Sequence, residues 1–436
     1  MQLFPSTIPA ANPANPAGGA SGIATATRHQ LSNGIVVLIQ RNPSNPTVRV
    51  RGEMRVGAIN EPATHAGLAV FTGAALIRGT PNRTFQQISA ETEERGCSVS
   101  SGGGQHSSGF SGKALVEDLP LVLEVLADIV INPTFPPDEI ARLRGQFLMS
   151  LRENEQDTRS QASRAARALL YPEGHPYSRL SSGTIETVQT ITRDDLVAFH
   201  QQYHPAATTI AVVGDVEPAA VIAELERTFG VWETTATPPV PELPPVPPLT
   251  GMQRRDVDVP GKVQSDVIWS VHGLARSDPD YYPAMMGNMI LGRLGMGGRL
   301  GENVRENQGM AYYVYSGLEA DLGAGPWAAV AGINPDNVER AIQAILQEIE
   351  QFKQEGPTDE ELADAKAYLT GSLVLGLETN DGIAGTLLAI ERYGLGLDYI
   401  DRYPDIINGL SHADIVTVAR KYLSTENCVV VVAGPL

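Results

Sequence analysis

The chain has 436 residues, 42% of them hydrophobic and 19% charged, with 50 acidic against 32 basic side chains and a net charge of −18. A length of this order suits two or three domains with their own cores, and the acidic balance argues against nucleic acid and anionic membrane as partners. The two cysteines, Cys97 and Cys428, lie far apart with no C-x-x-C, which excludes a disulfide framework and a cysteine zinc cluster and fits a reducing compartment.

Residues 1–24 are Ala, Pro, Asn, Gly, Ser and Thr in the main; they have neither the basic start nor the apolar core of a signal peptide and read as a flexible tail. The expected location is cytoplasmic, or periplasmic or secreted if a signal segment precedes the sequence. No apolar run approaches the roughly 20 residues of a membrane span. Strands are expected at 35–40, entered through the Asn33-Gly34 turn, and at 47–56. A buried helix of small and apolar residues runs from His65 to Thr80, closed by Gly79, and a second helix spans Phe85 to Arg95. Two strands flank Gly102-Gly103-Gly104, read as a flexible loop; no Lys-Ser/Thr follows, so it is not a phosphate loop. Leu119, Leu123, Leu126 and Val130 mark one face of a helix, and Ile140, Leu143, Phe147 and Leu151 mark the next. Residues 185–216 read as helix, helix, then a buried strand over 208–213.

Residues 237–250, T-P-P-V-P-E-L-P-P-V-P-P-L-T, form a semi-rigid polyproline strap. P-x-x-P also suits an aromatic-grooved partner, but its place between two globular halves favours a plain linker. Beyond it the pattern repeats. Adding 219 to Leu119, Leu123, Leu126 and Val130 gives Val338, Ile342, Ile345 and Ile349, and the same offset carries Tyr203 onto Tyr422. Both halves end in an apolar strand, 208–213 and 428–433. The expected fold is therefore α+β: two repeated domains (25–233 and 253–436), each a mostly antiparallel sheet covered by helices. The Pro-rich linker (234–252) joins them into a clamshell that can enclose a chamber.

Between the repeat's helices lies R-L-G-E-N-V-R-E-N-Q-G-M-A-Y-Y-V-Y-S-G, from Arg299 to Gly317. Leu300 and Val304 share one face of a short helix that ends at Arg305-Glu306; Gly309 turns the chain, and 310–315 reads as a strand. Arg305 and Tyr312 thus flank one tight turn, a charged planar fork and a neutral hydroxyl that can be aimed at one point. As bare residues they read equally as a solvated charge and a packing side chain.

From about residue 25 to the C-terminus the chain resembles the pitrilysin/insulinase family, in its short processing-peptidase type. The first-half match is V-G-A-I-N-E (56–61) and G-L-A-V-F-T-G-A-A-L-I-R-G-T (67–80); the second-half match is P-D-Y-Y (279–282), I-L-G-R-L-G-M-G-G-R-L (290–300) and V-R-E-N-Q-G-M-A-Y (304–312). Active members carry H-x-x-E-H, two zinc ligands one turn apart with a Glu base. Here those positions hold Val70, Gly73 and Ala74, and the third-ligand position holds Ser150; none of these side chains can hold zinc. His65 and His106 lack positioned companion ligands, and Glu153 and Glu155 read as a solvated face. The second-half motif is intact, and the resemblance implies that Arg305 and Tyr312 are its catalytic pair.

The resemblance implies the zinc-free subunit of a heterodimeric metalloendopeptidase. Such a subunit carries no cofactor or metal itself, pairs with a homologous H-x-x-E-H subunit that holds the zinc, and binds peptide substrate. The alternative is a catalytically inactive scaffold or peptide-binding homologue in which Arg305 and Tyr312 serve the fold, with Arg305 pairing Glu302 or Glu306. An active homodimer with its own metal lacks visible ligands.

Overall fold

Strand-forming, β-branched runs in both halves assemble into two sheets in a computed structural model that describes residues 26–235, 237–238, 240, 243–294 and 297–435. The tail expected at 1–24 lies outside them. In the first half, β1 (Thr27–Gln30), β2 (Val36–Arg41), β3 (Thr47–Met54), β4 (Ser98–Gly103), β5 (Ser108–Leu115) and β6 (Thr208–Gly214) lie in the order β1-β2-β6-β3-β5-β4. In the second, β7 (Gln253–Asp258), β8 (Ser265–His272), β9 (Ala311–Ala320), β10 (Ala324–Ile333) and β11 (Val429–Gly434) lie in the order β7-β11-β8-β10-β9. The β2–β6 and β7–β11 pairs are parallel; the others are antiparallel. The two orders coincide strand for strand once β1, an extra edge, is set aside. The fold is α+β with two repeated units.

The first-half helices are α1 (Leu68–Ala75), α2 (Phe85–Glu93), α3 (Leu119–Ile131), α4 (Pro137–Glu155), α5 (Thr158–Leu170), α6 (Ile185–Thr190), α7 (Arg193–His200) and α8 (Pro218–Thr228). The second-half helices are α9 (Tyr281–Asn288), α10 (Val338–Glu355), α11 (Asp359–Gly376), α12 (Asn380–Arg392), α13 (Tyr399–Asn408) and α14 (His412–Tyr422). Both predicted repeat faces are buried: Leu123 and Leu126 on α3, and Ile342, Ile345 and Ile349 on α10. Among the described residues no single helix is long and apolar enough to cross a membrane.

Three expectations change. The helix expected from His65 to Thr80 begins at Leu68, because Ala63–His65 forms a separate 3-10 turn capped by Ala66, and Gly67, with a left-handed φ of 98°, then starts α1; its last residues, Leu76–Arg78, tighten into another 3-10 turn. Gly102 and Gly103 are not loop but the end of edge strand β4, paired with Gly109 and Ser108. The helix α5 was not anticipated.

That helix explains how the halves are joined. Each sheet has one face covered by its own helices. The other face is covered by a helix from the opposite half. On β11, Val430 and Val432 face the second core, while Val429, Val431 and Ala433 pack against Ala162, Ala165, Ala166 and Leu170 of α5. On the first sheet, Leu38, Ala211 and Val213 pack against Ile383, Ala384, Leu387 and Leu388 of α12. Alternate residues of a strand point to opposite faces, so a strand buried on both becomes continuously apolar. Polar ties reinforce the exchange: Thr158 Oγ1 donates to Asp266 (2.5 Å), Asn380 Nδ2 to the Thr47 carbonyl (2.7 Å), and Arg392 Nε to Glu53 (2.6 Å).

Candidate functional site

The helix at the zinc-motif positions is α1. Its N-terminus is capped by Glu61, whose carboxylate accepts from the amides of Gly67 (3.0 Å) and Ala69 (2.8 Å). Burial pushes this carboxyl up to about 7, against the pull of those amides and of Arg179. On α1, Val70 and Ala74 are half-buried and Gly73 is buried. Gly73 lies on the backbone of β4: an added Cβ would come within 2.3 Å of Gly102 C and Gly103 N. The contact is mutual, since a Cβ on Gly103 would lie 2.2 Å from the Ala69 carbonyl oxygen. A base on a longer side chain has no room at position 73. Ser150 is exposed on α4, as are Glu153 and Glu155. Among the described residues no group of three or more His, Cys, Asp or Glu side chains is placed to hold a metal ion, so the donor set does not fit zinc.

Arg305 and Tyr312 stand in different surroundings. Arg305 lies in a π-helical turn, Gly301–Asn307. The turn is bolted down by buried Leu300 and Val304, by Arg299, which grips Glu361 at 2.6 and 2.8 Å, and by Asn303 on Glu348 (2.7 Å). Its outward side carries Arg305, 42% exposed, with Glu306 3.6 Å from its Nε. Gly309, at φ 60°, makes the turn into β9, and the Met310 amide closes onto the Val304 carbonyl (3.1 Å). In β9 the ladder pairs Ala311 with Ile333 and Tyr313 with Gly332, which leaves Tyr312 as the extra residue of a β-bulge. Bulges re-aim side chains and recur beside active sites. Tyr312 is 58% exposed. The π turn and the bulge thus present a guanidinium and a phenol on a rigid base. Among the described residues no hydrogen bond or ion pair joins the two. A guanidinium and a neutral phenol both donate hydrogen bonds, so such a pair can hold and polarise oxygens.

His65 lies in a 3-10 turn, 3.8 Å from Asp195. His106 lies in the loop between β4 and β5, where the halves touch: Nε2 is 2.6 Å from the Tyr177 hydroxyl and Nδ1 2.9 Å from Asp321. Asp321, 25% exposed, also receives Arg392 (3.3 Å). Despite partial burial, which acts to raise it, the Asp321 carboxyl is held below its ordinary value by the His106 hydrogen bond and charge and by Arg392. His106 and Asp321 occupy the equivalent hairpin tips, β4–β5 and β9–β10, which meet where the halves touch. The two residues are 215 positions apart in sequence, and no local pattern signals their contact.

Two family models match the chain: insulinase (peptidase family M16) over residues 36–175 and peptidase M16 inactive domain over residues 190–369. An uncharacterized zinc protease of Streptomyces coelicolor is 26% identical over 427 residues, covering 96% of this chain and 91% of that protein. The mitochondrial-processing peptidase subunit beta of Saccharomyces cerevisiae is 24% identical over 366 residues, covering 81% and 79%. A crystal structure described as a peptidase M16 inactive domain from Pseudomonas fluorescens superposes with a TM-score of 0.87 at 26% identity, covering 94% of this chain and 98% of that one. A protease from Helicobacter pylori shares the fold at the same TM-score of 0.87, with 20% identity and 94% and 99% coverage.

Proposed function

Because this chain belongs to the insulinase family of M16 peptidases, we propose that it is the zinc-free subunit of a heterodimeric metalloendopeptidase. A homologous H-x-x-E-H subunit holds the zinc and makes the attacking hydroxide. This chain supplies Arg305 and Tyr312, which bind substrate carbonyls and stabilise the oxyanion. Substrates are unfolded peptides, taken as an added strand and read chiefly through their backbone.

The observation that carries this reading is the contrast in how the fold uses the motif positions. Gly73 is fixed against β4 with no space for a base. Tyr312, by contrast, is the solvent-facing residue of a bulge, and among the described residues the one ion-pair partner of the Arg305 side chain is its neighbour Glu306. The Arg305–Glu306 pair that the scaffold reading expects is present, but at 3.6 Å between side chains 42% and 52% exposed it contributes little to the fold. A scaffold in which the pair served the fold would bury or bond Tyr312, which is 58% exposed, and would shield the Arg305 ion pair from water.

The test is steady-state peptide hydrolysis by the complex reconstituted with its H-x-x-E-H partner. Tyr312→Phe should lower kcat by about 10²–10³-fold, as loss of an oxyanion donor does. An unchanged kcat would remove the catalytic role and leave the scaffold or peptide-binding reading.

A further inference from the structure

A cavity of about 500 Å³ opens between the two halves, beside the meeting hairpin tips. Its charged side chains are not equally committed. Arg167 Nη2 donates to Glu319 at 2.7 Å. His106 and Arg392 share Asp321. Arg179 is different. Its nearest carboxylate, Glu61, is 3.9 Å from Nε and already has both oxygens on the amides of Gly67 and Ala69. Nη2 of Arg179 donates to the Glu61 carbonyl at 3.0 Å, and Nε is sealed in with no hydrogen-bond partner. Among the described residues Nη1 has no protein acceptor. Ser181 and Ser182, which follow Arg179 along the same wall, have no side-chain hydrogen bond among the described residues either.

We propose that this cavity is a carboxylate-binding pocket in which Arg179, with the Ser181 and Ser182 hydroxyls, holds the free C-terminus of a short peptide. A guanidinium offers paired donors that match a carboxylate, and burial strengthens that bond. The carboxylates Glu319 and Asp321 do not oppose it, because each is already paired. Leu180 and Leu318 supply apolar wall for the residue next to the carboxylate. The volume lies within the roughly 300–1,000 Å³ of small-ligand sites. The choice of a peptide as the source rests on the peptidase reading; the carboxylate chemistry does not.

The experiment is calorimetric titration of the full chain with N-acetyl-trialanine, with its C-terminal amide and with sodium acetate. The acid should bind at least about tenfold tighter than the amide, the scale of one lost hydrogen bond to a charged group. Arg179→Gln should erase that preference. Ser181→Ala/Ser182→Ala removes hydroxyls the fold does not use, so it should fold normally and weaken the acid alone. The double serine variant decides the matter if Arg179→Gln disturbs Glu61 and unfolds. Acetate that displaces the peptide at equal concentration makes a free small carboxylate the ligand; acetate that fails at hundredfold excess makes it a peptide end. Equal binding of acid and amide, no binding of either, or a preference that survives these variants overturns the pocket. Hydrolysis by the Tyr312→Phe complex judges the peptidase reading separately.

Discussion

Gly73 on α1 presses on the backbone of edge strand β4, and Gly292, 219 positions on, presses on edge strand β9, where an added Cβ would lie 2.5 Å from the Ser316 amide nitrogen. The close approach of a helix to an edge strand is therefore a property of the repeated unit. What surrounds it differs. In the first half, α1 closes into a 3-10 turn at Leu76–Arg78 with Leu76 buried, and β4 pairs without a register shift. In the second, the helix gives way to π-helical turns at Met289–Arg293 and Gly301–Asn307, and β9 carries the bulge at Tyr312. Irregularities of this kind cost backbone hydrogen bonding and are retained where they aim side chains. On the proposed function, one copy of the unit serves packing and the other presents the pair that acts on substrate.

The largest effect that would sharpen this contrast is the hundredfold or greater loss of kcat expected for Tyr312→Phe. Tyr368→Phe is its control, since Tyr368 is comparably exposed (52%) on α11 but away from the bulge; its kcat should match the parent complex. Equal losses in both would break the assignment to the bulge.

The next effect concerns what holds the two copies together. Leu387 is fully buried on α12, against the first sheet. Leu387→Ala should lower the unfolding free energy by about 2–5 kcal/mol, transfer cost plus cavity cost, read from urea denaturation. A loss below about 1 kcal/mol, the scale of a surface substitution, would mean that α12 is not seated in that core. Gly73→Ala and Gly292→Ala should each cost about 1–3 kcal/mol, because the obstructing atoms are backbone. Gly317→Ala, on the same β9 but with open space around it, should be neutral or slightly stabilising. A neutral Gly73→Ala would show that α1 can lift from β4, leaving room for a longer side chain at position 73.

The repeat, the strap between two units and the turn carrying Arg305 and Tyr312 were legible in the sequence, because each rests on local periodicity or on a fixed offset. Leu300 and Val304 are buried, and Gly309 makes the turn. The exchange of α5 and α12 was not read, since an apolar helix face does not say which sheet it covers. A signal was present: the unbroken apolar run at 428–433 fits a strand covered on both faces, and one half alone supplies only one cover. The bulge at Tyr312 depends on the register against Ile333 and Gly332, and the His106–Asp321 contact on tertiary docking, so neither leaves a local mark.

Glu61 and its counterpart 219 positions on, Asp280, give a further contrast. Asp280 is ion-paired with Lys421 at 2.6 Å near the surface, whereas Glu61 is buried at the start of α1, its carboxyl pushed up to about 7 from 4.5, chiefly by burial. A folded-state pKa above the unfolded one means that the folded chain holds the proton more tightly. The stability tied to Glu61 is thus full below about pH 4.5 and is lost as the pH rises through about 7. Glu61→Gln cannot ionise, so its unfolding free energy, read from urea denaturation, should fall less over that interval, by on the order of 3 kcal/mol. An identical slope would mean that Glu61 titrates alike in both states.

The smallest effect tests whether charge or apolar contact joins the copies. Arg28 on β1 meets Glu391 at the end of α12 through two bonds of 2.9 and 2.8 Å, and it lies on the one strand that has no equivalent in the second half. The pair is open to water, Arg28 being 43% and Glu391 23% exposed. Arg28→Ala should therefore cost no more than about 1 kcal/mol. The cost should shrink further in high salt, where the screening length falls to a few ångströms, about 3 Å at 1 M. It should stay well below that of Leu387→Ala, one turn earlier on the same helix. If Arg28→Ala costs as much as Leu387→Ala, the exchange is held from the rim, and β1 is then the first half's own addition to a joint that the repeat alone does not close.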